Sequence, residues 1–495
     1  MTTVNISLTA IPKLVKNIIN TLEKKGYPAY LVGGCVRDLI LNREPKDWDI
    51  TTSATPEEII TLFDKTVYEN DFGTVTVVHE TEKPTSSLRE VEITPFRVET
   101  DYSDNRRPDQ VTFTPNLEED LKRRDFTINA LAYRPTTETL TDLFDGIKDL
   151  KNKAIKTVGE PVDRLKEDYL RMLRAVRLAT ELEFALEKET AQAIKTTAEN
   201  IKRISPERIR DELVKIIMSK QPLMGFTLLR ELNIEAHILP ELHQAYGVTQ
   251  RGAHIFDVWE HSLRALQHAA DKNLPLELRL AVLFHDIGKP PTKRYDSQKK
   301  TVTFYGHEVV GARMAQKILT DLKFSKKTID KAIKLIRYHM FFMDTDQLTL
   351  SAVRRLVAKV GPENVWDLMN IRACDRIGMG RPKETPYRLR KYKAMIEEAT
   401  RAPTSVGMLK IDGDQLMKQL KLSPGPQIGK LLQALLGLVL DQPELNTQEK
   451  LLAKAKELNQ LPPEKLQKLV QAGKAKTEDK EQTELETINK RHHVS

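Results

Sequence analysis

Two glycines followed at a short distance by two aspartates open the chemical reading of this chain. Gly33 and Gly34 end the apolar run Ala29-Tyr30-Leu31-Val32, and without Cβ atoms they let backbone N–H groups approach a triphosphate closely. Asp47 and Asp49 follow, with Trp48 between them and Ile50 after. That polar and apolar alternation predicts a half-buried strand, on which residues i and i+2 share a face. Two carboxylates side by side repel each other unless a cation sits between them. Magnesium suits such a site, since it favours carboxylate oxygens and substrate phosphates, and two such ions can hold the attacking and leaving oxygens of an in-line displacement.

A second set of residues could read a base. Asp168 and Arg171 lie three apart within 160 to 180, where Leu165, Tyr169, Leu173 and Val176 recur at helical spacing and predict a buried stripe. Cytosine presents an acceptor at N3 beside a donor at N4, and adenine presents the same order at N1 and N6, so a donating Arg171 and an accepting Asp168 suit both. Uracil and guanine present the reverse and would leave a charge unpaired. The bland alternative is a surface ion pair worth a few tenths of a kcal/mol. A third set holds the adjacent pair His285-Asp286 inside apolar sequence, with His261, His307, His339 and Asp375 spread to either side. Imidazoles with carboxylates bind transition metals, whose bound water becomes a nucleophile near neutral pH.

The elements that must position these groups can be outlined from the same residues. Glu90 to Arg97 reads as another strand, and residues 98 to 112 are polar and charged, as a loop is. Gly146 offers the backbone freedom of a hinge. Ser205 and Pro206 cap and start a helix. The 495 residues permit several domains, and a formal charge of +8 favours a polyanionic partner. Cys35 and Cys374 cannot make a disulfide framework, no apolar run approaches a membrane span, and Met1-Thr-Thr-Val lacks the marks of a secretion signal, so the expected compartment is the cytoplasm. From about residue 446 charged residues dominate, and the end of the chain is expected to be solvated and partly disordered.

The stretch from Gly33-Gly34 through Arg37-Asp38 to Asp47 and Asp49 resembles the head of the DNA polymerase β-like nucleotidyltransferases, in particular bacterial-type (class II) CCA-adding enzymes and their poly(A) polymerase relatives. The resemblance implies Glu92 as a third carboxylate and a flexible loop with Tyr102, Asp104, Arg106, Arg107 and Pro108, which in the family is needed for the terminal A. It implies that Arg124, Asp125 and Asn129, in Arg123 to Ala130, lie around ribose and triphosphate with Gly33, Gly34 and Arg37. It also implies that Glu167, Asp168 and Arg171 match the E-D-x-x-R amino-acid template, with Arg174 and Arg177 in the same nucleotide-binding set. Leu143-Phe-Asp-Gly146 resembles the hinge between head and neck, and Glu207, Arg208 and Glu212 resemble a structural motif supporting the neck. His285-Asp286 resembles the mark of the HD phosphohydrolases: His261, His285, Asp286 and Asp375 match the usual ligand order, and His307 and His339 complete a second metal position.

The implied fold is α+β, a polymerase β-like head of mostly antiparallel sheet with helices, followed by an all-helical neck, HD domain and body or tail. The implied boundaries are 10 to 150 for the head, 151 to 235 for the neck, 236 to 380 for the HD domain, 381 to 445 for a helical body gripping tRNA, and 446 to 495 for a charged tail. The implied activity is addition and repair of the 3′-terminal CCA of tRNA from CTP and ATP with Mg²⁺ in the head. Hydrolysis of phosphate esters or 2′,3′-cyclic phosphates at the HD site would use Mn²⁺, Ni²⁺ or Co²⁺. No protein partner is indicated. A poly(A) polymerase, or a phosphohydrolase whose head only binds RNA, are the alternatives.

Overall fold

The computed structural model describes all residues except 1–5, 69–72, 80–87, 101–109, 251–254, 342–347, 402–404 and 495. The chain forms two compact units, Met1–His339 with Cys374–Pro382, and Met340–Ala373 with Lys383–Ser495. The first begins with a seven-stranded sheet built from β1 (Ala29–Val32), β2 (Asp49–Thr52), β3 (Thr66–Tyr68), β4 (Val75–Val78), β5 (Glu90–Pro95), β8 (Leu131–Arg134) and β9 (Thr139–Asp142), in the order β3-β4-β5-β2-β1-β8-β9. A separate hairpin pairs β6 (Arg97–Thr100) with β7 (Gln110–Phe113). Every pairing in the large sheet is antiparallel except β2 with β5, which run parallel with Asp49 opposite Glu92.

The centre of the sheet is apolar at Leu31, Ile50 and Ile93, all nearly fully buried. Thr51 and Thr52 are buried beside them, and each hydroxyl donates to a carbonyl, Thr94 at 3.1 Å and Pro28 at 2.8 Å. Unmade, each of those bonds would cost about 1–3 kcal/mol. The β6–β7 hairpin supplies the two arms of the segment 98 to 112, while Tyr102, Asp104, Arg106, Arg107 and Pro108 lie outside the described residues.

Two sequence expectations for the neck are corrected. The run 160 to 180 is two helices, Pro161–Glu167 and Leu170–Leu182, because Asp168 adopts extended backbone angles and its Oδ1 accepts the N–H of Leu170 at 3.0 Å. Aspartate competes for local N–H groups in this way and so breaks apolar periodicity. Gly146 is no free hinge either. It begins the helix Gly146–Asn152, and a Cβ there would sit 2.4 Å from the Thr127 carbonyl oxygen, so close packing is what excludes a side chain.

The remainder of the first unit is mostly helical. Val258–Asp271, the apolar Leu276–Phe284, His307–Asp321 and Lys326–Tyr338 surround a polar centre described below, and a short hairpin, Arg294–Asp296 with Thr301–Thr303, interrupts the helices. The second unit has a core of Leu416, Leu431, Leu435, Leu451, Ala455 and Leu466. Its C-terminal segment, expected to be partly disordered, is a 29-residue helix, Pro463–Arg491. Leu466, Val470 and Gly473 fall on one face, where Gly473 meets Gly437 so closely that a Cβ on Gly437 would lie 2.7 Å from the Gly473 Cα. A narrow apolar stripe suffices when backbones approach this closely.

Candidate active sites

Gly33 has φ +76° and starts the turn from β1 into the helix Gly34–Ile40. A Cβ on it would come within 3.3 Å of Arg124 Nη1 and 3.6 Å of Asp49 Oδ2, so the bare backbone stands against both groups. Asp49 is the first residue of β2, and Asp47 lies in the bend before it, exposed, rather than on the strand. The alternation survives: Trp48 between them is buried. Burial, together with the nearby Asp47, raises the Asp49 carboxyl pKa above its ordinary value against the opposing pull of Arg124 and Arg37. Glu92 stands beside Asp49 on the neighbouring strand and is exposed.

Basic residues surround these carboxylates in a connected chain. Arg37 donates from Nη1 to Asn129 Oδ1 at 2.8 Å, Asn129 donates to Asp125 Oδ1 at 3.2 Å, and Arg174 Nη1 lies 3.5 Å from Asp125 Oδ2. Arg124 is held by Asp120, whose Oδ2 accepts from its Nη2 at 3.1 Å, while Oδ1 accepts from Arg123 at 2.7 Å. Asp120 is fully buried. Sequence reasoning missed it, although its spacing of three and four before Arg123 and Arg124 was the available signal.

Asp168 and Arg171 are both buried, and each has a charged partner of its own. Asp168 takes a two-pronged contact from Arg208, at 2.6 and 3.2 Å. Arg171 bonds the carboxylate of Glu167 and donates to the Arg164 carbonyl at 2.6 Å. Arg177 is tied to Glu212 at 2.6 Å and Glu181 at 2.9 Å. A cleft of about 980 Å³ joins these regions, lined among others by Gly33, Asp47, Asp49, Arg124, Asn129, Arg171, Arg174 and Arg177. Glu92 and Asp168 are not in its lining.

The second site lies among the helices of the same unit. Among the described residues, two groups offer ligand atoms all within 4.8 Å of one another: His261, His285 and Asp286, and Asp286, His307 and His339. Asp286 belongs to both. Its Oδ2 lies 3.1 Å from His261 Nε2 and 3.2 Å from His285 Nε2, and its Oδ1 lies 3.3 Å from His307 Nε2 and 3.8 Å from His339 Nε2. Asp375 Oδ1 stands 3.3 Å from His261 Nε2. The Nδ1 atoms of His285, His307 and His339 face the carbonyls of Val282, Phe304 and Ile336 at 2.7 to 2.8 Å. A carbonyl only accepts, so each Nδ1 carries hydrogen and, in the neutral ring, each Nε2 turns a lone pair inward.

Lone pairs and carboxylates converging in a buried space require positive charge. The chain's own groups meet part of that need through Lys289, whose Nζ donates to Asp286 Oδ2 at 2.6 Å and to Gln250 at 2.5 Å. The neighbouring Asp286 overcomes burial and pushes His285 up to about 10, while burial and His285 drive His339 down to about 3. A divalent cation could take the place of the proton on His285, so the donor set fits a metal. Lys289 and Gln250 were not among the residues picked out from sequence.

Comparison with known proteins matches three segments of the chain. The model of the poly A polymerase head domain matches residues 29–156, that of the probable RNA and SrmB-binding site of polymerase A matches 183–246, and that of the HD domain matches 258–377. The CCA-adding enzyme of Lactobacillus delbrueckii subsp. bulgaricus is 49% identical over 223 residues, 45% of this chain and 54% of that one. The chain thus spans about half the length of that curated relative. The A-adding tRNA nucleotidyltransferase of Deinococcus radiodurans is 36% identical over 341 residues, 66% of this chain and 76% of that one. Among solved structures, the CCA-adding enzyme of Bacillus stearothermophilus in complex with CTP superposes with a TM-score of 0.58 at 29% identity, covering 91% of this chain and 98% of the other. No helix is long and apolar enough to cross a membrane among the described residues.

Proposed function

Given that the chain belongs to the tRNA nucleotidyltransferase family, we propose that it builds and repairs the 3′-terminal CCA of tRNA in the cytoplasm from CTP and ATP. The observation that carries this reading is the meeting of Asp49, Arg124 and the bare backbone of Gly33 in a cleft also lined by Arg171, Arg174 and Arg177. Family membership implies divalent-metal chemistry. An all-oxygen donor set of Asp47, Asp49 and Glu92 suits Mg²⁺, which would stabilise charge on the reacting oxygens. The tRNA 3′-oxygen bonds to the α-phosphorus of the nucleotide while the bond to the bridging oxygen breaks, and pyrophosphate departs.

The protein's own groups position these atoms. The backbone at Gly33 and Gly34 faces the triphosphate, and Arg37, Asn129, Asp125 and Arg124 surround phosphate and ribose. Asp168 and Arg171 read the base edge, with Arg208 and Glu167 holding them in place. We assign head, neck, HD domain, tRNA-gripping body and C-terminal segment to 10–150, 151–235, 236–380, 381–445 and 446–495.

The deciding experiment is sequencing tRNA lacking its CCA after incubation with CTP and ATP. A finite CCA end is the expected product. A long A tail would mean a poly(A) polymerase. Extension only of tRNA already ending in CC would mean an A-adding enzyme, a second reading that the match to the D. radiodurans relative keeps in view. No extension at all would leave the head as an RNA-binding module.

At the HD cluster we propose metal-dependent hydrolysis of phosphate esters or 2′,3′-cyclic phosphates with Mn²⁺, Ni²⁺ or Co²⁺, on the strength of Asp286 facing two histidine pairs. Water oxygen ends on phosphorus, a ribose ester bond breaks, and the departing ribose oxygen takes a proton. Freed ends could then accept nucleotides.

A further inference from the structure

We propose that the hairpin leading into the HD cluster is a single-strand RNA subsite, so that the cluster acts on RNA 3′ ends in preference to free nucleotides. This rests on the HD reading above and goes beyond it in naming where the rest of the substrate lies.

The hairpin, Arg294–Asp296 paired with Thr301–Thr303, enters residues 304 to 307 without a break. Phe304 gives its carbonyl to His307 Nδ1 at 2.8 Å, and Gly306, with φ +77°, turns the chain between exposed Tyr305 and buried His307. Two residues separate their Cα atoms by at most about 7.6 Å, so Tyr305 stands within one nucleotide's length of a metal-ligand candidate. The join is rigid: a Cβ on Gly288, two residues after Asp286, would lie 2.2 Å from the His307 carbonyl.

The hairpin's surface is otherwise costly to explain. Tyr295 is 65% exposed and Tyr305 72% exposed, although both rings have apolar faces to bury. Lys293, Arg294, Lys299 and Lys300 are exposed around them, and Asp296 is the one acidic residue between 293 and 305. Lys299 Nζ donates to the Tyr305 hydroxyl at 2.8 Å and lies 5.4 Å from the ring centroid, which orients that ring. Aromatic faces set among cations are what sequence-independent binding of single strands uses, stacking for the bases and charge for the phosphates. A free mononucleotide lacks the neighbouring bases and phosphates that such a surface holds.

The test uses the full chain with Mn²⁺ and two substrates, a single-stranded RNA 12-mer ending in a 2′,3′-cyclic phosphate and cyclic 2′,3′-CMP. Wild type should favour the RNA, and the double variant Tyr295→Ala/Tyr305→Ala should lose about tenfold or more on RNA, the scale of one lost stacked base, with cyclic CMP hydrolysis and nucleotide addition by the head unchanged. Equal rates on RNA before and after substitution, or equal losses on both substrates, would overturn the subsite. A 4-thiouridine at the penultimate nucleotide should crosslink to residues 293–305, and crosslinks only elsewhere would also overturn it. If the crosslink forms while neither substrate is hydrolysed, the hydrolase reading fails and the RNA contact stands.

Discussion

Replacing Asp49 with alanine is expected to abolish CMP and AMP addition together, by roughly 10³-fold or more, the scale of losing fixed charge at a reacting centre. Binding of tRNA, measured by filter retention, should stay near wild type. Asp120 offers a different kind of test, since its carboxylate is bonded by Arg123, Arg124 and Thr51. Removing one member of such a buried group leaves uncompensated charge, and Asp120→Ala should cost roughly 3–5 kcal/mol in a denaturant titration. Burial alone would raise the Asp120 pKa, yet Arg124 and Arg123 hold it below its ordinary value. A lowered folded pKa gives stability that is present above the unfolded value and is lost as pH falls through the folded one. Wild type should therefore lose more stability on acidification than Asp120→Asn, and parallel acid profiles would count against this pairing. Asp47, Asp49, His285 and Asp286 were legible in sequence because their chemistry is written in adjacent positions. Asp120 was not, because its importance comes from what encloses it.

Among the elements, the stripe of Leu165, Tyr169, Leu173 and Val176 expected from sequence is buried, but it spans the joint between Pro161–Glu167 and Leu170–Leu182. Its apolar spacing is helical throughout, and the break falls at Asp168, whose carboxylate accepts the N–H of Leu170 and is also grasped by Arg208, forty positions later. A contact of that range leaves no trace in local periodicity. Arg208→Lys keeps the charge and loses the fork, so preference for CTP over UTP should fall several-fold in single-turnover extension while the fold remains intact by circular dichroism. An unchanged preference would separate Asp168 from base reading. Strands were more legible than helix boundaries, since β1 coincides with the apolar run 29 to 32 and β5 starts at Glu90, although β2 starts at Asp49 and not Asp47, and strand extends into the segment read as a loop. The arms of the segment 98 to 112 pair as β6 and β7. Joining Thr100 to Gln110 by a short turn should leave tRNA products ending in CC, whereas equal loss of C and A addition would indicate a damaged head.

For the molecule as a whole, the two active-site candidates use different donors, oxygen at the head and nitrogen with oxygen at the HD cluster, and should fail independently. His285→Ala should lose manganese-dependent hydrolysis and retain nucleotide addition. Added Mn²⁺ should raise the melting temperature of wild type but not of this variant, as binding to the folded state alone requires. The family-level organisation was legible from motifs spread along the chain, whereas the C-terminal helix was hidden by its composition. Its 29 residues are held at Gly473 against Gly437, and further along by Glu484 with Arg401 and by Arg491 and His492 with Glu397. Between these clamps the helix works as a phase-locked shaft. Each residue advances the helix by about 1.5 Å and 100°, so deleting Ala475 would swing all three distal partners off their targets at once, even though Ala475 itself touches none of them.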